Sequence, residues 1–340
     1  MVRKKRFELS RKNNNGKRSR VLGVLLVASL CCASFPTHAS TPGFCGISVA
    51  QSVLTSIAPS PDGGFWFQLH RAFDEVASTG TYQAGQATEF EDVSESGTIV
   101  PAFQNGRRIN GYYIITFDGR INPRGDAVSQ TFCDGRLSNC SGYPSNPGSS
   151  EYIVAAAAKW DGQGLWAVDR KGRVWTAGNA QSFGDVQSDS SIPTGIAVTP
   201  SGLGYYITLE DGGLYSFGDA VFMGRFPDKV TGIALDVDEW CNVIGYWLTV
   251  QDGGVFSFGQ APFYGSSGGG GVCLSTAVGF TAFPMGLSDF GCHPTRGYAF
   301  VTAQGLVNQF DASGPVIYPP PSRLQNLDPP AIHSPAKKQN

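Results

Sequence analysis

The chain has 340 residues, of which 44 are glycine, and only 15% of its residues are charged. Glycine at roughly twice its usual share of about 7% predicts turn-rich β structure. Nine of the 25 Lys and Arg residues lie in the first 20 positions, so the rest of the chain carries 16 basic and 26 acidic side chains. Such an acidic body has no basic field to recruit phosphates, which argues against nucleic acid or an anionic membrane as a partner.

Residues 1–39 have the pattern of a signal peptide. A long basic region precedes the uncharged stretch 21–35, and Thr37 and Ala39 place small residues at −3 and −1 of a cleavage site after Ala39. A transmembrane anchor is disfavoured because about 15 apolar residues fall short of the roughly 20 that span a bilayer. We predict export to the cell surface, the periplasm or the medium, with no stable membrane insertion after cleavage.

Cysteine usage predicts disulfides in the exported chain. Six cysteines follow the cleavage site, and an even number in an oxidising compartment favours up to three bridges. They are Cys45, Cys133, Cys140, Cys241, Cys273 and Cys292. Cys133 and Cys140 are the best candidate pair because they close a short Gly-, Asn- and Ser-rich insertion, and the other pairings stay open. Zinc is disfavoured by the lack of C-x-x-C spacing and of a nearby histidine pair. The sequence predicts no metal site and no cofactor.

The body of the chain consists of six related segments. GYYITLEDGGLYSFGDAVFMG, from Gly204, and GYWLTVQDGGVFSFGQAPFYG, from Gly245, match at most positions. Weaker copies begin at glycines 64, 111, 164 and 297, which gives intervals of 47, 53, 40, 41 and 52 residues. A period near 40 residues with loop insertions is typical of β-propeller blades, which have roughly 40 to 45 residues.

Each segment predicts a β-hairpin. Residues 246–250 and 255–258 are rich in aromatic and β-branched residues, and Asp252 and Gly253 stand between them. Asp-Gly can adopt the positive φ angles of a type I′ turn, with Gly253 at its second position. An earlier short strand and a short last strand at residues 261–265 bring each unit to four strands.

These elements predict an all-β fold, in which residues 40–318 form a β-propeller of four-stranded antiparallel blades. Six blades are favoured over seven, because residues 44–54 and 316–318 resemble closing strands without a hairpin. A sandwich would lack the regular period, and an open solenoid usually has repeats of about 20 to 30 residues. Residues 319–340 are Pro-rich and lack apolar periodicity, so we expect a disordered tail.

The two strongest units resemble the repeated G-Y-W-L-V-x-x-D-G-G-[VI]-F-x-F-G-D-A-x-F-x-G-S units of secreted bacterial β-propeller proteins. The same hairpin is similar to the RCC1-type signature, and GLWAVDRKGRVW, from Gly164, is similar to tectonin repeats. The resemblance covers residues 56–318, strongly in two units and weakly in four. It implies a propeller fold and a secreted setting, and it supplies no catalytic residue.

Catalytic motifs are missing from the sequence. The exported part has three histidines, His70, His293 and His333. Residues 265–269 satisfy G-x-S-x-G, but two more glycines follow, where a nucleophile elbow needs a helix. Asp236, Asp238 and Glu239 lack the further oxygen ligands of a calcium loop, so they are interpreted as a solvated loop.

Aromatic residues supply the remaining indication of function. Pairs such as Tyr205-Tyr206 and Tyr246-Trp247 recur at one strand position and are expected in the core between units. Trp240 and Phe290 lie in insertions and are the candidates for stacking on a sugar.

The leading hypothesis is therefore a secreted, non-enzymatic propeller that binds or scaffolds a protein or a cell-surface glycan. The first alternative is a propeller-type glycosidase or lyase with carboxylates at the central channel, and the second is a structural matrix protein. No catalytic, cofactor-binding or ligand-binding residue is assigned by the sequence. Carboxylates that converge on the central channel would distinguish the enzyme from the binding module.

Overall fold

The computed structural model describes residues 10–12, 18–20, 56–69, 80–88, 97–128, 135–138, 142–144, 147–148, 151–186, 190–267, 277–284, 294–302 and 305–320. The chain divides into two units, Met1–Gly46 and Ile47–Asn340. In the first unit, strands β1 (Ser10–Lys12) and β2 (Arg18–Arg20) pair antiparallel. Residues 44–54, most of the predicted signal peptide and most of the predicted tail lie outside the described residues.

The second unit is all-β, as predicted, and consists of six small antiparallel sheets. We number the sheets one to six in chain order. Their strands are β3 (Ser56–Pro59), β4 (Phe65–Leu69) and β5 (Gly80–Ala84); β6 (Gly97–Gln104), β7 (Arg107–Thr116) and β8 (Ile121–Gly125); β9 (Ile153–Ala158), β10 (Gly164–Asp169) and β11 (Val174–Gly178); β12 (Pro193–Val198), β13 (Gly204–Leu209) and β14 (Leu214–Gly218); β15 (Val230–Val237), β16 (Val243–Val250) and β17 (Val255–Gly259); and β18 (Ala277–Pro284), β19 (Thr295–Thr302), β20 (Val307–Asp311) and β21 (Gly314–Tyr318).

The first strands of the six sheets contact one another in chain order. β3 packs against β6, β6 against β9, β9 against β12, β12 against β15 and β15 against β18. β18 also packs against β3, so the last sheet contacts the first. Within each sheet the second strand pairs with both the first and the third.

The second strands are buried on both faces because each sheet is covered by its neighbours. Every residue of β13 is buried, and so is every residue of β10. Tyr205, Tyr206, Tyr246 and Trp247 are each 0% exposed, which confirms the prediction that the paired aromatics belong to the core. Neighbouring sheets share these side chains: Trp166 of sheet three and Tyr205 of sheet four lie in one apolar cluster. The aromatic strand position therefore holds adjacent sheets together.

The prediction of four-stranded sheets is correct for sheet six, whereas sheets one to five have three strands among the described residues. In sheets three, four and five, the segment after the third strand bonds to a tyrosine of the next sheet instead of forming a fourth strand. The hydroxyl of Tyr246 accepts the N–H of Met223 at 3.0 Å and donates to the carbonyl of Gly224 at 2.5 Å. The same pair of hydrogen bonds links the hydroxyl of Tyr205 to Phe183 and Gly184. It also links the hydroxyl of Tyr298 to Tyr264 and Gly265. We call these contacts the tyrosine staples.

The Asp-Gly turns differ from the type I′ geometry that the sequence predicts. Gly253 has a φ of +80°, as expected, but Asp252 is not among the residues with positive φ, and a type I′ turn needs both. The N–H of Gly253 donates to Val250 at 3.0 Å, and the N–H of Val250 donates to Gly254 at 2.9 Å. Three residues therefore form the loop, and the carboxylate of Asp252 accepts the N–H of Gly254 at 2.9 Å.

The same three-residue loop recurs in sheets two to six. In each case a glycine with a φ between +76° and +85° donates its N–H to the carbonyl three residues earlier. These glycines are Gly119, Gly172, Gly212, Gly253 and Gly305. We refer to these loops as the second turns, because each follows the second strand of its sheet.

The end of the second unit completes sheet six. Residues 316–318, which the sequence predicts as a closing strand, lie in β21, where they pair with β20. The ring of Tyr318 then packs edge-on against Phe65 of sheet one, with their centroids 6.3 Å apart.

Candidate functional site

The first strands of all six sheets line one cavity of about 190 Å³. The side chains that line it are mostly apolar and belong to residues that include 156–158 of sheet three, 196–198 of sheet four, 233–235 of sheet five and 280–283 of sheet six, while polar atoms contribute about half of the exposed lining surface. Small side chains keep it open: Ala156, Ala157 and Ala158 follow one another on β9, and Ala197 and Ala234 lie on β12 and β15.

Loops that follow the first strands meet at one end of this cavity. The N–H of Gly106, after β6, donates to the carbonyl of Trp160, after β9, at 3.0 Å. The rings of Phe103 and Trp160 stack there with centroids 6.1 Å apart and planes 13° apart, and both rings line the cavity. The next loop lies close by, since a side chain on Gly202 would collide with Lys159. We call these loops the first turns and this end of the cavity its mouth.

Arg108 is the one charged side chain among the described residues that line the cavity. It is the second residue of β7, where its backbone pairs with Phe103. The side chain is half-buried, and within the described part of the chain it forms no ion pair and no hydrogen bond. Burial lowers the pKa of Arg108 to about 9, so the guanidinium remains protonated at neutral pH. Arg108 is therefore a charged side chain in the cavity lining without an ion-pair partner among the described residues.

A two-residue turn fixes the position of Arg108. Asn105 and Gly106 both have positive φ, at +50° and +81°, and Gln104 pairs with Arg107 across them. This is the type I′ geometry that the sequence analysis assigned to the Asp-Gly sites. Asn-Gly between extended segments is the strongest short-range indication of such a turn, yet the sequence analysis overlooked it in FQNGRR. The sequence could thus have located this hairpin, though not the cavity that Arg108 reaches.

The acidic cluster of sheet five does not converge on the cavity. Leu235 and Val237 line it, whereas Asp236 between them does not and is only 4% exposed. Burial raises the pKa of Asp236 to about 6, against a hydrogen bond from the N–H of Val237, and the charge of Asp238 adds to the rise. One carboxylate oxygen of Asp236, Oδ2, has no hydrogen-bond partner in the described part of the chain.

The carboxylate of Asp238 stabilises the first turn of sheet five by accepting hydrogen bonds within it. It accepts the N–H groups of Trp240 at 3.0 Å and Asn242 at 2.8 Å, and the side-chain amide of Asn242 at 3.0 Å. Those bonds outweigh the effect of burial and hold the pKa of Asp238 below its usual value. Glu239 is exposed. Within the described ranges no group of three His, Cys, Asp or Glu residues is arranged to hold a metal ion.

Trp240 is 73% exposed, more than any other large apolar side chain of the described residues. The three bonds to Asp238 fix the turn that carries it, and Cys241 beside it has a φ of +70°. An indole on a rigid turn is ready to stack without an ordering cost. Of the two predicted sugar-stacking candidates, Trp240 is thus exposed, while Phe290 lies outside the described residues.

The other sequence candidates fall on parts of the chain that the structure leaves out. His70, His293 and His333 lie there, as do Cys133 and Cys140, so their predicted disulfide stays a prediction. Of the six cysteines, Cys241 alone is described. The described residues contain no helix that is long and apolar enough to cross a membrane.

No protein-family model matches the chain. No curated protein matches it significantly either.

Proposed function

We propose that this chain is an exported six-bladed β-propeller that acts as a binding module for a cell-surface glycan or a protein. The order of contacts supports the propeller: each first strand packs against the next, and β18 packs against β3. A three-stranded sheet buries both faces only between neighbours, and a ring supplies neighbours for all six sheets. The cavity that all six first strands line is then the central channel.

The composition of this channel favours binding over hydrolysis. A glycosidase of the common type needs two carboxyl groups about 5 to 10 Å apart on either side of the scissile bond. The described residues that line the channel include no Asp and no Glu. Asp236 is buried and lies between two lining residues in sequence, but it is not itself part of the lining. The described lining residues supply no second carboxylate that could form a catalytic pair with it.

The exposed indole of Trp240 carries the proposal. Aromatic side chains at loops stack on the apolar faces of sugars and supply contact area to protein partners. Trp240 stands on the first turn of sheet five, only three residues beyond Val237, which lines the channel. Loops that a rigid scaffold holds in place are the usual location of binding residues.

The test compares two exposed aromatics in the mature protein. Co-sedimentation with insoluble peptidoglycan should fall at least about fivefold in Trp240→Ala and stay within about twofold in Phe263→Ala. Phe263 is the matched control because it is 60% exposed but lies in the segment after the third strand and is not part of a first turn. If both variants co-sedimented with peptidoglycan as much as the wild type does, a role for Trp240 would be contradicted. Binding only to a protein fraction would assign the partner to that class, and no binding to either would contradict the module.

Export has an independent test. The mature protein should begin near Ser40 and show no free thiol when it is alkylated under native conditions, because the oxidising compartment pairs its cysteines. Mass spectrometry of extracellular material measures both. A peptide that begins at Met1 in that fraction, or six alkylated cysteines, would contradict the export proposal.

A further inference from the structure

Within the described part of the chain, Arg108 has no ion-pair or hydrogen-bond partner, and the other side chains of the cavity lining are mostly apolar. Its neighbours at the mouth are the stacked rings of Phe103 and Trp160. The hydroxyls that could supply further polar contacts are engaged: Thr281 donates to Ala282, and Thr295 donates to Leu235 and accepts the N–H of Val237. A half-buried charge without a partner is costly, and an anion that binds there recovers that cost.

The geometry of the mouth makes this more than a surface arginine. The type I′ turn at Asn105 and Gly106 holds the start of β7, and the bond from Gly106 to Trp160 ties that turn to sheet three. A guanidinium presents a planar fork that matches a carboxylate with two parallel hydrogen bonds. The turn thus fixes the backbone that carries Arg108 at the entrance of the cavity.

The size and lining of the cavity define the rest of the ligand. An apolar protein cavity of about 150 Å³ holds benzene, and this cavity measures about 190 Å³. Its alanine, isoleucine and phenylalanine walls offer apolar contact, so a ligand that fills it must carry a hydrocarbon body. Phosphate has no hydrocarbon body and would leave these apolar side chains without contact.

We propose that the central cavity binds a small apolar monocarboxylate, with its carboxylate paired to Arg108 and its hydrocarbon body between the first strands. The ligand class is that of benzoate and short branched fatty acids. This site is distinct from Trp240 and does not depend on the glycan or protein partner proposed above.

The experiment measures benzoate binding to the mature protein by isothermal titration calorimetry, with benzyl alcohol and inorganic phosphate as comparison probes. A ligand of this size should bind with a dissociation constant of about 0.1–1 mM. Benzyl alcohol keeps the ring but lacks the charge, so it should bind at least about tenfold more weakly. Phosphate should bind no more tightly than benzyl alcohol.

Three variants distinguish the contribution of the Arg108 charge to benzoate binding from that of the cavity volume. Arg108→Met keeps the length of the side chain and should weaken benzoate at least about tenfold, because the charge-assisted bonds are lost. Arg107→Met is the matched control on the same turn, exposed and away from the lining, and should change binding less than about twofold. Ala157→Leu leaves Arg108 intact but fills the cavity, and it should also abolish binding. Circular dichroism and thermal melting check that each variant is folded.

The proposal would be overturned if the folded wild type did not bind benzoate at 10 mM, a concentration on the order of tenfold above the weakest dissociation constant expected. Equal affinity for benzoate and phosphate would also overturn it. So would equal effects of Arg108→Met and Arg107→Met on benzoate binding. The variant Trp240→Ala tests whether the cavity site is independent of the proposed glycan or protein site. It should leave benzoate binding within about twofold, whatever its effect on peptidoglycan.

Discussion

The two sets of turns in the second unit differ in how strictly they repeat. The second turns share one loop design from sheet two to sheet six, closed by the same pair of backbone bonds around a left-handed glycine. The first turns vary: their loops are residues 61–63, 105–106, 160–163, 200–203 and 239–241, and in sheet five Cys241 takes the left-handed position.

This contrast separates residues that maintain the fold from residues that are free to bind. A loop that repeats unchanged in five sheets meets the same packing demand each time, so its sequence is constrained by stability. The first turns carry Arg108 and Trp240 and surround the mouth of the cavity. Damage to the second turns should therefore unfold the protein, whereas changes in the first turns should alter binding with little loss of stability.

The largest effect is expected at Gly212 in the second turn of sheet four. Its φ is +84°, and a Cβ there would lie 2.1 Å from the carbonyl oxygen of Phe226. Gly212→Ala should therefore cost about 3 kcal/mol or more, since backbone strain and a backbone collision add. Gly253→Ala has the same strain, but its nearest atom is 3.3 Å away, and it should cost about 1–2 kcal/mol. Urea denaturation of both variants measures the difference; equal costs would show that the collision is relieved by movement of the neighbouring loop.

A smaller effect is expected when one tyrosine staple is removed. Tyr246→Phe leaves the N–H of Met223 and the carbonyl of Gly224 without their partner, which should cost about 1–2 kcal/mol. Tyr215→Phe is the control because Tyr215 is 44% exposed, and it should change the free energy of unfolding by less than about 0.5 kcal/mol. Thermal melting compares the two. Identical melting temperatures would mean that water replaces the lost hydroxyl and that the staple does not stabilise the contact between sheets.

The smallest effect, and the only stabilising one, is expected at Asp236. Because its folded pKa is raised to about 6, the folded state favours the protonated carboxyl, and stability falls as the pH rises from about 4 to about 6. Asp236→Asn should remove this fall and stabilise the protein at pH 7 by about 1 kcal/mol, with no gain near pH 4. Asp238→Asn should act in the opposite direction at pH 7, because the folded state lowers the pKa of Asp238. Denaturation at both pH values tests the pair, and a gain for Asp236→Asn that does not depend on pH would contradict the titration.

The repeat pattern was sufficient to predict the all-β class, the positions of the hairpins and the burial of the paired aromatics. Each of these depends on residues close in sequence, such as the aromatic strand before Asp252 and Gly253. The turn type was wrong because a positive φ at Gly253 is compatible with both a two-residue and a three-residue loop. The fourth strand was wrong because residues 261–265 are extended in character, but their backbone bonds to Tyr298, more than 30 residues away.

The site was harder to predict than the fold. Trp240 could be selected from the sequence because it lies in an insertion outside the repeat. Arg108 could not be selected in this way, because its position matters only once the six first strands surround one cavity. No local sequence pattern predicts that arrangement of strands. The lack of a partner for Arg108 is likewise a property of the whole arrangement.

Hydrogen–deuterium exchange tests the division between the two sets of turns most directly. The mature protein is compared alone, with soluble peptidoglycan fragments and, separately, with benzoate. We expect slower exchange at residues 104–108 and 160–163 with benzoate, slower exchange at residues 238–242 with peptidoglycan, and no change at residues 251–253 with either. Protection confined to the second turns, with none at the first turns, would contradict the assignment of binding to the first-turn end.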